Sequence, residues 1–350
     1  MSLSSYPLDA IEALTPSQMD FLKALPKAEL HAHLNGSIPL PVLQQLAREY
    51  YVAPDTDSDS SFQTEIERLR EGVVLETIEE FFTLFTTIYA LTSTREALAR
   101  VTDAVLAEFL DPIGGEEYPQ ATYLELRSTP RETIAMTRLE YVETVLDRVE
   151  RYLPDQAALI VSLDRRMPQE VADECIGVAI TLKSRGRRIV GVDICGHPTA
   201  GDMGFFERQM SAARAAGLGI TVHIAETIDN TPEDTLKLLS FKPNRLGHAT
   251  FLNEEAQAIV IREKMAVEIC LTSNFLCKTV SDLETHHIQY YLKENHPIAI
   301  CTDDTLPFRT NLLGEYAMLL APTPYGLGLS EGEVEKIAAM AHGSRFQFDG

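Results

Sequence analysis

Residues 189–226, IVGVDICGHPTAGDMGFFERQMSAARAAGLGITVHIAE, contain the pattern that decides the fold. An apolar run at 189–194 is followed by an amphipathic segment at 203–216 and by a second apolar run at 220–223. Apolar runs of this length without polar alternation are typical of parallel strands, which helices cover on both faces. The stretch therefore predicts a strand–helix–strand unit with parallel strands.

The same alternation continues in both directions along the chain. Strand candidates lie at 28–33, 121–126, 159–163, 189–194, 220–223, 245–248, 267–271 and 298–302. Helix candidates between them include 169–184, 203–216, 254–264 and 285–294. Eight units favour a (β/α)₈ TIM barrel of the α/β class, although periodicity by itself separates a barrel poorly from an open doubly wound sheet.

Reactive side chains at the ends of the candidate strands favour the barrel. His31, Glu125, His223, His248 and Asp303 each stand at or next to the end of such a strand. In a barrel these ends all face one mouth, where active sites are built. We therefore predict one barrel domain over residues 1–350.

Two stretches interrupt the alternation between the first two strands. Residues 54–61 are acidic and rich in serine, and residues 65–107 then add helical pattern, so we expect a helical insertion at about 62–110. Residues 111–120, with two glycines and two prolines, predict a loop. We interpret the insertion as a cap on the mouth and hypothesise that residues 65–107 act as a lid.

The charge balance limits the partners. The chain of 350 residues has 30 basic and 52 acidic side chains, a net charge of 30 − 52 = −22. Surfaces that bind nucleic acids or anionic membranes need clustered lysine and arginine, so we expect neither partner. Five scattered cysteines without a close pair argue against disulfides and against a cysteine-rich zinc site. No signal-peptide pattern or membrane-length apolar run is present, which predicts a cytoplasmic, cytosolic protein.

The motif His31-Ala32-His33 is the first candidate for a metal site. The two-residue period of a strand points both imidazoles to one side, about 6 to 7 Å apart, within reach of one metal. His223 and Asp303 end two other strands, and three imidazoles with one carboxylate suit zinc. A lone histidine at a strand end is more often structural than a ligand, but four candidate ligands at one mouth predict a metal centre.

Three further residues are candidates for the chemistry. Glu226 lies three residues beyond His223; alone it would be a helix cap or a solvated side chain, but beside a metal it is a candidate proton donor. His248 is a candidate base at the next strand end. Asp304 follows Asp303 and would face away from the site on a regular strand, so it needs a turn to reach it.

Together these motifs resemble the adenosine and AMP deaminase family, most closely its adenosine-deaminase-like branch of N6-methyl-AMP deaminases. The resemblance runs in order from about residue 25 to residue 346. It is carried by HAHLNGS at 31–37, LELRSTPR at 124–131, DRR at 164–166, GVD at 191–193 with Gly196, HIAE at 223–226, RLGH at 245–248, LTSN at 271–274 and CTDD at 301–304.

The resemblance implies hydrolytic deamination of a purine. His31, His33, His223 and Asp303 would bind one Zn²⁺ per chain. His248 would hold the proton of the attacking water, Glu226 would protonate ring N1, and Asp304 would orient the nucleophile and touch the purine. The resemblance also implies substrate contacts from His33 and from the backbone N–H of Gly196.

Asn35 indicates the branch within the family. Adenosine and adenine deaminases resemble this chain but have an acidic residue there, and a carboxylate would repel a 5′-phosphate. The resemblance implies nucleotide contacts from Asn35, Ser128, Thr129 and Asp164, and from the two arginines Arg127 and Arg131. Surface solvation or an ion pair is the alternative for those arginines, which form a candidate basic island with Arg165 and Arg166.

The expected reaction is therefore conversion of N6-methyl-AMP to IMP and methylamine by a monomeric enzyme. Deamination of adenosine or adenine is the first alternative, and a non-catalytic purine-binding barrel is the second. Two departures from the family pattern flank the expected purine pocket: His197 after Gly196, and Thr305-Leu306-Pro307-Phe308 after the paired aspartates.

Overall fold

Eight parallel strands form one sheet in the order β1 to β8. The structure is a computed structural model that describes residues 6–49, 64, 78–112 and 114–348. The strands are β1 Ala28–His33, β2 Tyr123–Ser128, β3 Ala157–Asp164, β4 Ile189–Cys195, β5 Gly219–Ile224, β6 Arg245–His248, β7 Ala266–Ile269 and β8 Ile298–Ile300. Each strand pairs with the next in sequence, so the predicted (β/α)₈ order is confirmed.

The sheet returns to its first strand just beyond β8. Asp303 forms a parallel bridge with Ala32. Its N–H donates to the carbonyl of His31 at 2.8 Å, and its carbonyl accepts from the N–H of His33 at 3.1 Å. A candidate metal ligand thus also joins the end of the chain's last strand to the first.

Helices cover the outside of the sheet. Those before β2 are α1 Tyr6–Ala13, α2 Pro16–Ala24, α3 Leu40–Glu49, α4 Ile78–Leu91 and α5 Arg95–Leu110. Those that follow are α6 Arg138–Val149, α7 Gln169–Ser184, α8 Glu207–Ala215, α9 Pro232–Ser240, α10 Glu254–Glu263, α11 Leu271–Leu276, α12 Ile288–Lys293, α13 Thr305–Phe308, α14 Leu312–Leu320 and α15 Glu331–Gly343. A 3₁₀ turn, Met203–Phe206, precedes α8.

Extra helices between β1 and β2 are present, as the sequence predicts. Helices α4 and α5 account for the described part of the insertion at about 62–110, and the serine-rich run at 54–61 lies outside the described residues, as do 62–63 and 65–77. Thr94 caps α5, because its side chain accepts the N–H of Ala97 at 3.2 Å. Among the described helices, none combines the length and the apolar character that a bilayer span requires.

Six of the eight strands differ from their predicted ranges by one or two residues at an end, and two of these differences matter for the site. Strand β2 extends to Ser128 because it pairs with β3 as far as Val161. Strand β7 ends at Ile269, and residues 271–276 turn into the short helix α11 instead of continuing the strand. Apolar composition shows that a segment is buried, but pairing with the neighbouring strand decides where it stops.

Candidate active site

Four side chains converge at the carboxyl-terminal mouth of the barrel. His31 and His33 come from β1, His223 from β5 and Asp303 from the turn after β8. One ligand atom from each lies within 4.8 Å of the others. The Nε2 atoms of His33 and His223 are 3.2 Å apart, and Asp303 Oδ1 is 3.6 Å from His31 Nε2 and 3.5 Å from His33 Nε2. Four ligand atoms at these separations can coordinate one metal ion.

The surroundings of the cluster fit a divalent metal. His31 Nε2 is buried and has no hydrogen-bond partner among the described residues. On the other side of the ring, His31 Nδ1 lies 2.6 Å from Glu268 Oε2, and His223 Nδ1 lies 3.0 Å from Asp193 Oδ1. An ionised carboxylate can only accept, so each Nδ1 carries the proton and each Nε2 keeps its lone pair for a metal.

The charges below the cluster keep those carboxylates ionised. Burial alone would raise the pKa of Glu268, but Arg127 and Arg245 outweigh it and lower that pKa to about 2. Burial would likewise raise the pKa of Asp193, yet His223 and Arg127 hold it far below its usual value. Burial lowers the pKa of His31 and of His33, which favours the neutral imidazoles that bind metals.

We call this set of interior side chains the charged layer: Glu125, Arg127, Asp193, Arg245 and Glu268. All five are buried inside the barrel. Neither Arg245 nor Glu268 is predicted from the sequence to have a role in the site. A signal was available, because a charged residue within an apolar strand, as in Met265-Ala266-Val267-Glu268-Ile269, must be paired when it is buried.

Arg127 belongs to this layer, and its role in nucleotide binding stays a prediction. The side chain is fully buried. Its Nη2 donates to Glu268 Oε2 at 2.9 Å and to the carbonyl of Leu30, and its Nη1 is 3.6 Å from Asp193 Oδ1. The reason is the longer β2: Arg127 lies inside the strand, opposite Ile160, and points into the barrel with Glu125 two residues earlier.

Asp304 reaches the site through the turn that its sequence position requires. Asp303 has a φ of +65°, in the left-handed region that non-glycine residues rarely adopt. After this turn the Asp304 carboxylate lies over Gly36, where a Cβ atom would stand 1.7 Å from Oδ1. Burial, Asp303 and Glu226 together raise the pKa of Asp304 well above its usual value. A glycine at position 36 is therefore a condition for this carboxylate to enter the mouth.

Glu226 and His248 face the same space. His248 Nε2 is 3.9 Å from Glu226 Oε1 and 3.9 Å from Asp303 Oδ2. Both ring nitrogens of His248, together with Glu226 Oε2 and Asp304 Oδ1, are buried and lack hydrogen-bond partners among the described residues. Burial raises the pKa of Glu226, as a proton donor requires.

Residues behind the site hold these side chains in place. His248 has a φ of +63°, and its carbonyl accepts a hydrogen bond from His287 Nε2 at 2.9 Å. Ser273, in helix α11, donates to Asp303 Oδ2 at 2.8 Å. Unusual backbone angles persist only where surrounding contacts fix them, so these bonds are part of the construction of the site.

The residues predicted to contact the ribose and the phosphate differ in their contacts with the rest of the protein. Asn35 is buried, and its Oδ1 has no partner within the described residues. Ser128 Oγ bonds Tyr141 OH at 2.8 Å, and Thr129 Oγ1 is 3.8 Å from Cys195 Sγ. The Asp164 carboxylate lies against Gly196, where a Cβ would come within 2.7 Å of its carboxyl carbon.

The predicted basic island is not a set of free arginines. Arg131 donates to the carbonyl of Tyr89 and to Thr92, with its guanidinium 4.2 Å above the Tyr89 ring. Arg165 donates to the carbonyls of Pro198 and His223, and Arg166 pairs with Asp164. Arg131 thus joins the end of β2 to helix α4 of the insertion and to the residue just after it.

The two departures from the family pattern lie in exposed or short segments. His197 is exposed, and its Nδ1 lies 3.2 Å from Thr199 Oγ1. Residues 305–308 form helix α13, which starts immediately after Asp304. The N–H of Leu306 donates to the carbonyl of Gly36 at 2.9 Å, so this helix is tied to the loop that admits Asp304.

Comparison with known families gives one match over most of the chain. The family described as adenosine deaminase matches residues 26–347. Among curated proteins, the chain is 35% identical over 321 residues to the N6-methyl-AMP deaminase of Homo sapiens, covering 88% of this chain and 86% of that protein. It is 31% identical over 361 residues to the N6-mAMP deaminase of Arabidopsis thaliana, covering 95% of each.

Solved structures also match the chain over most of its length. The apo N6-methyl-AMP deaminase of Arabidopsis thaliana superposes with a TM-score of 0.80 at 32% identity, covering 95% of both chains. Arabidopsis ADAL in complex with IMP matches with a TM-score of 0.78 at 32% identity, covering 94% of both chains. A complex of the same protein with GMP matches with a TM-score of 0.79 at 32% identity, covering 94% of this chain and 95% of that one.

Proposed function

Because the chain belongs to the adenosine deaminase family, we propose that it hydrolyses the N6 amine from a purine nucleoside 5′-monophosphate. The proposed substrate is N6-methyl-AMP, and the products are IMP and methylamine. Relatives at 31–36% identity that bear the name N6-methyl-AMP deaminase support this choice. Complexes of Arabidopsis ADAL with IMP and with GMP support a nucleotide in the mouth.

We propose that His31, His33, His223 and Asp303 hold one Zn²⁺. Two observations support this assignment: His31 Nε2 is buried without a hydrogen-bond partner in the described ranges, and carboxylates lie behind His31 and His223. A Zn²⁺ held by these four residues would lower the pKa of a water molecule and so supply hydroxide near neutral pH. Glu268 and Asp193 fix the tautomers of the two histidines, so both rings present a lone pair to the ion.

Proton movement is assigned to Glu226 and His248. Glu226, whose pKa is raised by burial, donates a proton to ring N1 as the nucleophile attacks C6. His248, neutral because burial lowers its pKa to about 4, accepts the water proton and passes it on as the amine leaves. Asp304 orients the nucleophile and touches the purine. The unpartnered atoms of these three side chains support the assignment, because a buried polar atom needs a partner and the reacting groups would supply it.

The remaining contacts fix the nucleotide. The backbone N–H of Gly196 is assigned to purine N3, and the neighbouring Asp164 carboxylate is assigned to a ribose hydroxyl. Asn35, Ser128, Thr129 and Arg131 are assigned to the phosphate end, and His33 also faces the substrate. Arg131 and Asp164 have protein partners at present, so both exchange or share those partners when nucleotide binds.

One observation carries the choice of a phosphorylated substrate. Asn35 is buried at the mouth, its side-chain oxygen has no partner in the described part of the chain, and its amide brings no charge. A carboxylate there would repel a phosphate by about 4 kcal/mol at 4 Å and an effective dielectric constant of 20. A neutral amide can instead donate its N–H groups to phosphate or ribose oxygens.

Deamination of adenosine is the second candidate, and one observation favours it. Arg127 is buried in the charged layer, and the other three arginines of the predicted basic island all have protein partners. A phosphate would therefore be bound by neutral hydroxyl and amide groups, and by arginines only after they leave their present protein partners. A purine-binding barrel without catalysis is the third candidate, and the convergence of Glu226, His248 and Asp304 on the metal cluster argues against it.

We further propose a monomer in the cytosol. All five cysteines are free, as expected in a reducing compartment. Sedimentation of the purified protein and microscopy of a tagged form test the two statements.

A substrate panel tests the function. We expect kcat/KM for N6-methyl-AMP to exceed those for AMP, N6-methyladenosine, adenosine and adenine, measured under identical zinc and salt conditions. The pair N6-methyl-AMP and N6-methyladenosine isolates the phosphate, and the pair N6-methyl-AMP and AMP isolates the methyl group. A preference for adenosine would overturn the proposal in favour of the second candidate.

The variant Asn35→Asp sharpens this test. The added carboxylate should lower kcat/KM for N6-methyl-AMP at least about tenfold, about 1.4 kcal/mol, through charge repulsion. The ratio of N6-methyladenosine to N6-methyl-AMP turnover should rise by the same factor. Asn35→Ser is the matched control, since it removes the amide without adding charge. Equal losses in both variants and for both substrates would contradict the role of Asn35 in phosphate selection.

A further inference from the structure

The carboxyl-terminal tail, residues 344–348, packs beneath the charged layer at the end of the barrel opposite the mouth. Phe346 is buried there, with the Arg245 guanidinium 3.7 Å from its ring centre. Gly191 and Gly219, near the starts of β4 and β5, leave the space for the ring. A Cβ at either glycine would stand 2.4 Å from Phe346 ring atoms. The tail therefore occupies a seat shaped for an aromatic ring.

The tail backbone also bonds to the charged layer. The N–H of Phe346 donates to Glu125 Oε1 at 2.7 Å. Arg245 Nη1 donates to the carbonyl of Ser344 at 3.0 Å. Both contacts are charge-assisted and involve buried side chains, which makes them stronger than ordinary surface hydrogen bonds.

Arg245 connects this seat to the metal cluster. Its Nη2 donates to Glu125 Oε2 at 2.6 Å, and its Nε donates to Glu268 Oε1 at 2.7 Å. The second oxygen of Glu268 accepts from His31 Nδ1 at 2.6 Å. All three nitrogens of the guanidinium are used, so the position of Arg245 depends on the tail as well as on Glu268. A planar guanidinium cannot move one bond without tilting the others.

We propose that the tail is a positioning element for the metal ligand His31 and acts through Arg245 and Glu268. Phe346 fixes the plane of Arg245, Arg245 fixes the rotamer of Glu268, and Glu268 sets the orientation and tautomer of the imidazole. The inference rests on the proposed metal site. A tail that only closes the bottom of the barrel would add stability but leave the affinity for metal unchanged, and this difference makes the two roles separable.

The test measures zinc affinity, not activity alone. Zinc is removed from the purified full-length protein, and the dissociation constant for Zn²⁺ is measured by competition with a chromophoric chelator. Phe346→Ala should weaken zinc binding about tenfold, the lower end of what the loss of an outer-shell partner costs. Phe346→Tyr keeps the ring over Arg245 and should restore affinity to within about twofold.

Phe109→Ala is the matched control. Phe109 is also a buried phenylalanine, but it lies in α5 and belongs to a different core cluster from the tail. We expect this variant to lose stability while its zinc dissociation constant stays near that of the wild type. Equal weakening by Phe346→Ala and Phe109→Ala, or an unchanged constant in Phe346→Ala, would overturn the proposal.

Gly191→Ala provides a second route in case Phe346→Ala does not fold. The added methyl group occupies the space of the ring and displaces the tail without removing any member of the chain of contacts. The same tenfold weakening is expected, and an unchanged zinc constant overturns the inference. A wild-type protein that binds no zinc would refute the proposed metal site instead, so the two failures are distinguishable.

Discussion

The mouth and the charged layer are adjacent, yet their buried carboxylates differ in how many hydrogen-bond donors they have. At the mouth, Glu226, His248 and Asp304 each have a buried side-chain atom without a partner among the described residues. In the layer below, Glu268 accepts from four donors: His31, Arg127, Arg245 and Thr221. Glu125 likewise accepts from Arg245, Tyr123 and the backbone of Phe346.

This difference separates groups available for chemistry from groups that hold the site together. An unpartnered buried polar atom lowers stability and is retained where a ligand will use it. A carboxylate with several donors is fixed in place and contributes orientation. Loss of a mouth residue should therefore cost turnover, whereas loss of a layer residue should cost stability and metal affinity.

The largest expected effect comes from the mouth. Glu226→Gln removes the proton donor and should lower kcat about 10²- to 10⁴-fold, the usual contribution of general acid catalysis. Zinc content, substrate affinity and thermal stability should stay close to those of the wild type, because the amide has the same shape. Steady-state kinetics, metal analysis and calorimetry check the three expectations.

Asp229→Asn is the matched control for that variant. Asp229 lies in the same loop but is exposed, and its substitution should leave kcat unchanged. Activity retained in Glu226→Gln would refute the role of Glu226 as the acid.

The charged layer should respond in the opposite sense. Glu268→Gln removes one of the two buried carboxylates that face each of Arg127 and Arg245. It should lower the free energy of unfolding by about 3 kcal/mol, the lower end for a broken buried ion pair, because Asp193 and Glu125 remain as counter-ions. Zinc affinity should fall about 10- to 100-fold, since His31 loses its outer-shell carboxylate. Denaturant unfolding and chelator competition measure these changes.

Glu263→Gln is the control for the layer variant. Glu263 pairs with Arg262 on the surface, so its loss should leave the free energy of unfolding essentially unchanged. If Glu268→Gln proved as stable as this control, the charged layer would not have the structural role assigned to it.

Glu315, a buried glutamate outside the layer, extends the comparison to the pH dependence of stability. Glu315 accepts from Thr272 and Thr310 but has no arginine partner among the described residues, and burial raises its pKa to about 7. A raised pKa means that the folded state holds the proton more tightly than the unfolded state, whose pKa is near 4.5. Its contribution to stability is complete below that value and is lost as pH rises through about 7.

Glu315→Gln removes this titration. Between pH 5 and pH 8, the wild type should lose up to about 3 kcal/mol of stability relative to the variant, from 1.36 kcal/mol per pKa unit. Burial also raises the pKa of Glu29 to about 7. Glu29 is present in both proteins, so its contribution to stability cancels when the two stability curves are subtracted. Parallel stability curves for the two proteins over this range would contradict the assignment.

The sequence predicted the order of the strands and the boundaries of a few elements. The boundaries of β1, β6 and helix α7 match the structure residue for residue. The four proposed metal ligands were identified from their places at strand ends, and the structure brings them together. Strand-end positions are informative because parallel strands of a barrel all deliver their carboxyl ends to one face.

The differences from the predicted structure arose where pairing between distant segments sets the outcome. Strand β2 pairs with β3 for two residues beyond its predicted end. Arg127, expected to contact the phosphate, is therefore an interior side chain. The end of β7 at Ile269, and the helix that follows, were missed for the same reason. The composition of one segment does not specify its register with the neighbouring strand.

The sequence by itself determined which chemical groups this protein has and the face of the barrel to which its strands deliver them. Only the tertiary structure decided how those groups are partnered. His31 meets Glu268 across 237 residues, and Glu125 meets Phe346 across 221 residues. A side chain's chemistry is local, but its pKa, rotamer and role depend on contacts that exist only after the barrel closes.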